Sequence, residues 1–155
     1  MGRILEALEA WFTADEWKYD VMPERNTLRT GFSGDAGNWT CYAQAREPQE
    51  QFVFYSVAPT KVPEERRHQV AEAITRANYG MIIGNFELDF SDGEIRYKTS
   101  VDFENAEIDS AIIRHLVYAN VLTMDKYLKA FLGISFGNLS PVDAIQQVES
   151  PIDEA

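Results

Sequence analysis

With 155 residues, 45% hydrophobic and 25% charged, the chain suits one soluble domain with a sizeable core. Its formal net charge of -11 repels phosphate backbones and anionic lipid, so nucleic acid and membrane surfaces are excluded as partners unless a basic patch exists. Arg66-Arg67 follow Glu64-Glu65 on one expected helix and form no such patch. Cys41 is the sole cysteine, which rules out an intrachain disulfide and any cysteine-built metal or redox motif.

The first residues, MGRILEALEAW, place Glu6 and Glu9 where a secretory leader needs an unbroken apolar run. Met1-Gly2 opens like a myristoylation signal, but Glu6 stands where Ser or Thr belongs. No run is apolar enough to span a bilayer, so a soluble cytoplasmic protein is expected and the Asn38-Trp39-Thr40 sequon carries no weight. Ile4, Leu5, Leu8, Trp11 and Phe12 share one face at helical spacing and predict an amphipathic helix over 3–14. The period then shortens to about 2. Strands are expected near 18–22, 27–33, 38–46 and 51–58, broken at Pro23–Asn26, Gly34–Gly37 and Glu47–Glu50. An even-numbered last turn sets Cys41, Ala43 and Ala45 on one face with Phe52 and Phe54, small against large. The reverse face carries Thr40, Tyr42, Gln44, Val53, Tyr55 and Val57, apolar enough to call for a covering helix or partner.

Pro63 at a first helical position, with Glu64 and Glu65, opens a second helix that buries Val70, Ala73, Ile74 and Ala77 and stops at Gly80. Residues 81–102 read as a β-hairpin about an Asp92-Gly93 two-residue turn. That turn predicts Phe90 opposite Ile95, Leu88 opposite Tyr97 and Phe86 opposite Thr99, with Asp89–Arg96 and Glu87–Lys98 charge pairs on the other face. A one-residue slip would turn every apolar side chain outward. Asp109 caps a long third helix reaching about Leu132, whose apolar arc is too broad for one docking surface. Ser140-Pro141-Val142-Asp143 starts a last helix through Val148. The expected organisation is one domain over 1–148 with an acidic, frayed tail from Glu149 to Ala155. Helices segregated onto an antiparallel sheet, in the order α-β-β-β-β-α-β-β-α-α, define an α+β fold.

The hairpin string IGNFELDFSDGEIRYKTSVD resembles the YbjN family of bacterial proteins. So do Leu116-Val117-Tyr118-Ala119-Asn120, Met124-Asp125-Lys126-Tyr127-Leu128, and Ser140-Pro141 leading into Ala144-Ile145. The resemblance is strong from about Asn78 to Ile145 and weaker before it. It implies an α+β architecture like that of type III secretion chaperones, which are small acidic proteins that commonly dimerise. It also implies a cytosolic regulator of sensory transduction, and it supplies no catalytic residue. The acidic end from Glu149 has no counterpart in the family, and GFSGDAGNW, residues 31–39, aligns poorly with it.

Candidate chemistry is sparse. His68 and His115 sit on different helices with no second ligand at metal spacing, and Cys41 lies among small strand residues with nothing nearby to lower its pKa. Gly31, Gly34 and Gly37 recur like a phosphate loop but lack the following helix and lysine, so a strand-to-strand turn is expected. Asp102, Glu104, Glu107 and Asp109 lack EF-hand spacing and read as a solvated loop. Asn120 sits inside the third helix's apolar arc, and a buried amide must find partners. Either it bonds a strand or loop carbonyl, or it fixes register across a dimer.

These residues point to a non-enzymatic protein-binding module without catalytic, cofactor or metal residues, chaperone-like or regulatory, acting as a homodimer. The alternative is a domain that senses a small molecule bound between sheet and helices. The candidate partner or dimer surface is Tyr42, Val53, Tyr55 and Val57 on the sheet, together with Asn120. The sheet face is favoured for the dimer because tyrosine combines apolar area with a polar tip.

Overall fold

The computed structural model describes residues 2–150. Among them the chain runs α1 (Arg3–Ala14), β1 (Tyr19–Met22), β2 (Thr27–Ser33), β3 (Asn38–Arg46), β4 (Gln51–Val57), α2 (Arg67–Asn78), β5 (Asn85–Leu88), β6 (Ile95–Asp102), α3 (Ser110–Gly137) and α4 (Pro141–Glu149). The strands form one antiparallel sheet in the order β1-β2-β3-β4-β6-β5. The expected order of elements and the α+β class are therefore what the chain adopts.

The period-2 reading of β3 and β4 matches the ladder. Ala43 faces Phe54 and Ala45 faces Phe52, so the phenylalanines fill the space the alanines leave and are fully buried. The turn between them is a short 3-10 segment, Glu47–Gln49, closed by Glu50 in the left-handed region. Helix α1 lies on this face, with Phe12 stacked on Phe54 at 6.2 Å. Its first turn has no cap from Gly2; the Glu47 carboxylate instead accepts from the Ile4 and Leu5 N–H groups at 3.2 and 2.8 Å.

The β5–β6 hairpin departs from expectation by two residues. Leu88 faces Ile95, Phe86 faces Tyr97, Glu87 faces Arg96 and Asn85 faces Lys98. Phe90 is not opposite Ile95 at all; it lies exposed in the loop. The last rung is the Asp89 N–H to Glu94 O bond at 2.9 Å, and the Gly93 N–H returns to Asp89 O at 2.7 Å, so four residues span the turn rather than two. Side chains hold this longer loop. Asp89 accepts from the Ser91 N–H and hydroxyl, and Asp92 from the Glu94 N–H and Lys61. A shift of two leaves each side chain on its expected face, so alternation alone is blind to it. Phe86 and Tyr97 are buried together as expected, whereas Leu88 is only half-buried.

Pro63 stands one position outside its expected place, capping a 3-10 turn over Glu64–Arg66 that leads into α2. Both remaining caps are as expected: Asp109 accepts from the Ala111 N–H at 2.8 Å and Ser140 from the Asp143 N–H at 3.1 Å. Helix α3 runs five residues past its expected end, to Gly137. Most of its broad apolar arc is absorbed because β4, β6, α1, α2 and α4 all pack against it, while Ile112, Leu122 and Phe136 stay exposed. Of the expected tail, Glu149 instead closes α4 and accepts from the Tyr127 hydroxyl; residues 151–155 lie outside the described residues.

Candidate protein-binding face

The helices contact the sheet face that carries Leu28, Cys41, Ala43, Phe52, Phe54, Ile95 and Tyr97, all buried. The opposite face takes the alternate residues of each strand. In register across the sheet, Arg29 stands beside Tyr42, Tyr42 beside Tyr55, and Tyr55 beside Lys98. The next row runs Thr40, Val57, Arg96 and Glu87. Tyr42, Val53, Tyr55 and Val57 are thus brought together on one surface, as the alternation predicts.

That surface is open to solvent yet not bare. Val53 is only 8% exposed, and Tyr42, Tyr55 and Val57 are half-buried without a covering helix among the described residues. Neighbouring long side chains supply the cover. The Arg96 guanidinium lies 4.3 Å over the Tyr55 ring, and Glu87 accepts from Arg96 at 2.7 Å and Lys98 at 3.0 Å. Partial burial raises the Glu87 carboxyl, but the bonds from Lys98 and Arg96 outweigh it and hold the group below its ordinary value. A shallow concavity of about 210 Å³ lies on this face between Met22, Arg25, Tyr42, Tyr55 and Arg96. Its lining mixes Arg25, Arg96 and Glu94 with Tyr42, Tyr55 and Val57, so charged and apolar groups sit side by side.

Asn120 does not belong to that surface. It is fully buried between α3 and the opposite face of the sheet. Its Nδ2 reaches Phe54 O at 2.9 Å, Tyr97 O at 3.1 Å and Thr99 Oγ1 at 3.2 Å, while the Thr99 hydroxyl donates to Leu116 O. The amide therefore stitches β4, β6 and α3 within one chain, which leaves it no reach to a second copy.

The remaining candidates are structural in their surroundings. Cys41 is enclosed, and burial pushes its thiol up to about 12 against the opposing pull of Ser56 and Trp39. His68 and His115 are exposed on separate helices, and among the described residues no three His, Cys, Asp or Glu groups are placed to hold a metal ion. The glycine loop after β2 is a strand-to-strand turn that nevertheless holds an anion. The Asp35 and Ala36 N–H groups donate to the two carboxylate oxygens of Asp125 at 3.1 and 2.8 Å. A Cβ on Gly34 would come within 2.4 Å of that carboxylate, which explains the glycine. Sequence reading missed the partner because it lies 90 residues away on α3.

A helix-covered antiparallel sheet in this strand order places the chain in an α+β class whose fold two solved structures share. One chain of a HopA1-SchA chaperone-effector complex superposes with a TM-score of 0.51 at 14% identity, covering 78% of this chain and 88% of that one. YbjN from E. coli superposes with a TM-score of 0.62 at 11% identity, covering 78% and 85%. Residues 5–133 match the YbjN family, described as "Putative bacterial sensory transduction regulator". The chain belongs to the YbjN family. No curated protein matches it, and no helix among the described residues is long and apolar enough to cross a membrane.

Proposed function

We propose that this protein is a non-enzymatic, cytoplasmic protein-binding module, chaperone-like or regulatory, that works as a homodimer. The observation that carries the binding reading is the open sheet face, where Tyr42, Val53, Tyr55 and Val57 lie in register with Arg96, Lys98 and Glu87 and no helix among the described residues packs over them. Family membership and a chaperone-like fold support a binding role over a reaction. Aromatic side chains beside an arginine are the residue types that dominate protein interfaces.

The competing reading, a small-molecule sensor, has one feature in its favour: a cleft of about 980 Å³ bounded by α3, α4 and the β2–β3 loop, with Lys126, Lys129, Asp35 and Asp143 on its walls. It lies at the surface rather than between sheet and helices, where core side chains fill the space. A native mass spectrum of the protein purified from its host separates the two. A co-purified polypeptide, lost in Tyr55→Glu, is the expected result; a co-purified small molecule would favour the sensor. A wild-type protein that stays monomeric at high concentration would remove the homodimer.

A further inference from the structure

The largest exposed apolar side chains are not on the sheet. Tyr79 is 91% and Ile82 90% exposed, with Ile83 at 51%, all in the six-residue loop Tyr79–Gly84 that joins α2 to β5. In a chain one-quarter charged, this loop carries no charge.

Nor is the exposure a product of slack backbone. The Tyr79 N–H bonds Thr75 O and the Met81 N–H bonds Asn78 O. The Tyr97 hydroxyl donates to Ile83 O. Gly84, at φ 77°, presses so closely on β6 that a Cβ would fall within 2.6 Å of Lys98 O. Just upstream, the Asn78 amide bonds both the N–H and the C=O of Phe86, sealing the free edge of β5. The loop is thus anchored at both ends, with its apolar side chains held outward. Preorganised groups lose little entropy when a partner covers them.

Beside this knob lies a hole. Tyr79 also forms one wall of a groove of about 790 Å³ between α2 and α4, with Val142 half exposed on its rim and Ile145 in its floor. Two charges at the groove are engaged within the chain, Arg76 with Glu72 at 2.8 Å and Glu149 with the Tyr127 hydroxyl.

We propose that a second copy of this chain docks here, the Tyr79–Gly84 loop of each copy entering the α2–α4 groove of the other. This rests on the homodimer reading and says where the dimer forms. Three features select a second copy as the occupant. A groove with Ile145 in its floor and Val142 on its rim takes an uncharged aliphatic segment, and the chain's own loop is one. Knob and hole share Tyr79, so a two-fold axis satisfies both contacts at once. Two copies at -11 each repel, and an uncharged loop adds no like charge of its own when it enters the partner's groove. Covering Tyr79 alone buries about 150–250 Å², so loop and groove supply a substantial part of the roughly 800 Å² per partner of a standard interface. The open sheet face then stays free for a different polypeptide.

The test is sedimentation of the full chain. Ile82→Glu changes a side chain that is almost wholly exposed, so the fold survives, which circular dichroism verifies. Dimer affinity should fall by at least about 30-fold, as for loss of an interface hot spot, while Tyr55→Glu leaves it unchanged. An equimolar mixture of Ile82→Cys and Val142→Cys chains should give a cross-linked heterodimer on oxidation. A dimer that survives Ile82→Glu but not Tyr55→Glu would overturn this placement and leave the homodimer standing. A wild-type monomer at high concentration would overturn both, and a dimer without the 82–142 link would overturn the reciprocal geometry.

Discussion

The two faces of the sheet solve the same problem by different means. On the covered face, Phe52, Phe54, Phe86 and Tyr97 are buried under α1, α2 and α3, with the Asn120 amide and the Thr99 hydroxyl tying α3 to the strands. On the open face, Tyr55 and its neighbours reach half burial beneath the arms of Arg96, Lys98 and Glu87. One face is roofed by secondary structure, the other by side chains. A side-chain roof can be lifted by a partner at small cost, whereas helices cannot leave without unfolding the domain. That asymmetry is what supports the proposal that a partner binds the open face.

The sharpest way to break the comparison is to truncate adjacent residues of β4 that point to opposite faces. Phe54→Ala should destabilise the fold by about 3–5 kcal/mol, transfer plus cavity, measured by urea denaturation. Tyr55→Ala should cost only about 0.5–1 kcal/mol, the order of an exposed cation–π contact. Equal costs would mean that the open face is packed as tightly as the core. Between these extremes, Asn120→Ala should cost about 1–3 kcal/mol by stranding buried partners, with the dimer mass unaffected. A dimer lost in that variant while the fold persisted would return Asn120 to an interface.

Much of this was legible in the sequence. The strands of the first hairpins and α1 follow from period, because a half-buried strand writes its alternation directly into residue order. The composition of the open face was readable for the same reason, residue by residue from Tyr42 to Val57. What failed has a common cause. The β5–β6 register depends on whether Asp89 and Asp92 fold their carboxylates back onto the turn, a choice that alternation does not record. Asn120 was recognised as buried, but its partners at Phe54, Tyr97 and Thr99 lie on two distant strands. The exposed loop left one signal, an uncharged YGMIIG in an acidic chain, and hydrophobicity alone reads such a run as core.

The smallest expected effect tests the side-chain roof itself. Glu87 is held below its ordinary carboxyl value of 4.5 in the folded protein, where bonds from Lys98 and Arg96 outweigh desolvation. A carboxyl whose pKa is depressed by folding adds stability above its unfolded value, and that stability is lost as pH falls through the folded value. The contribution should therefore be complete at neutral pH and disappear below about pH 4.5. Asp89 and Asp92 are also held down, by Ser91 and by Lys61, so the wild-type decline in acid has several sources. Glu87→Gln isolates one of them. Its urea midpoint should lie below wild type at pH 7, and the gap should close on acidification, while Asp89 and Asp92 titrate alike in both proteins. Parallel curves down to acid would mean that Glu87 does not hold Arg96 and Lys98 in solution. The roof over Tyr55 would then be open before any partner arrives, and the open face would bind as a bare aromatic surface rather than one uncovered on contact.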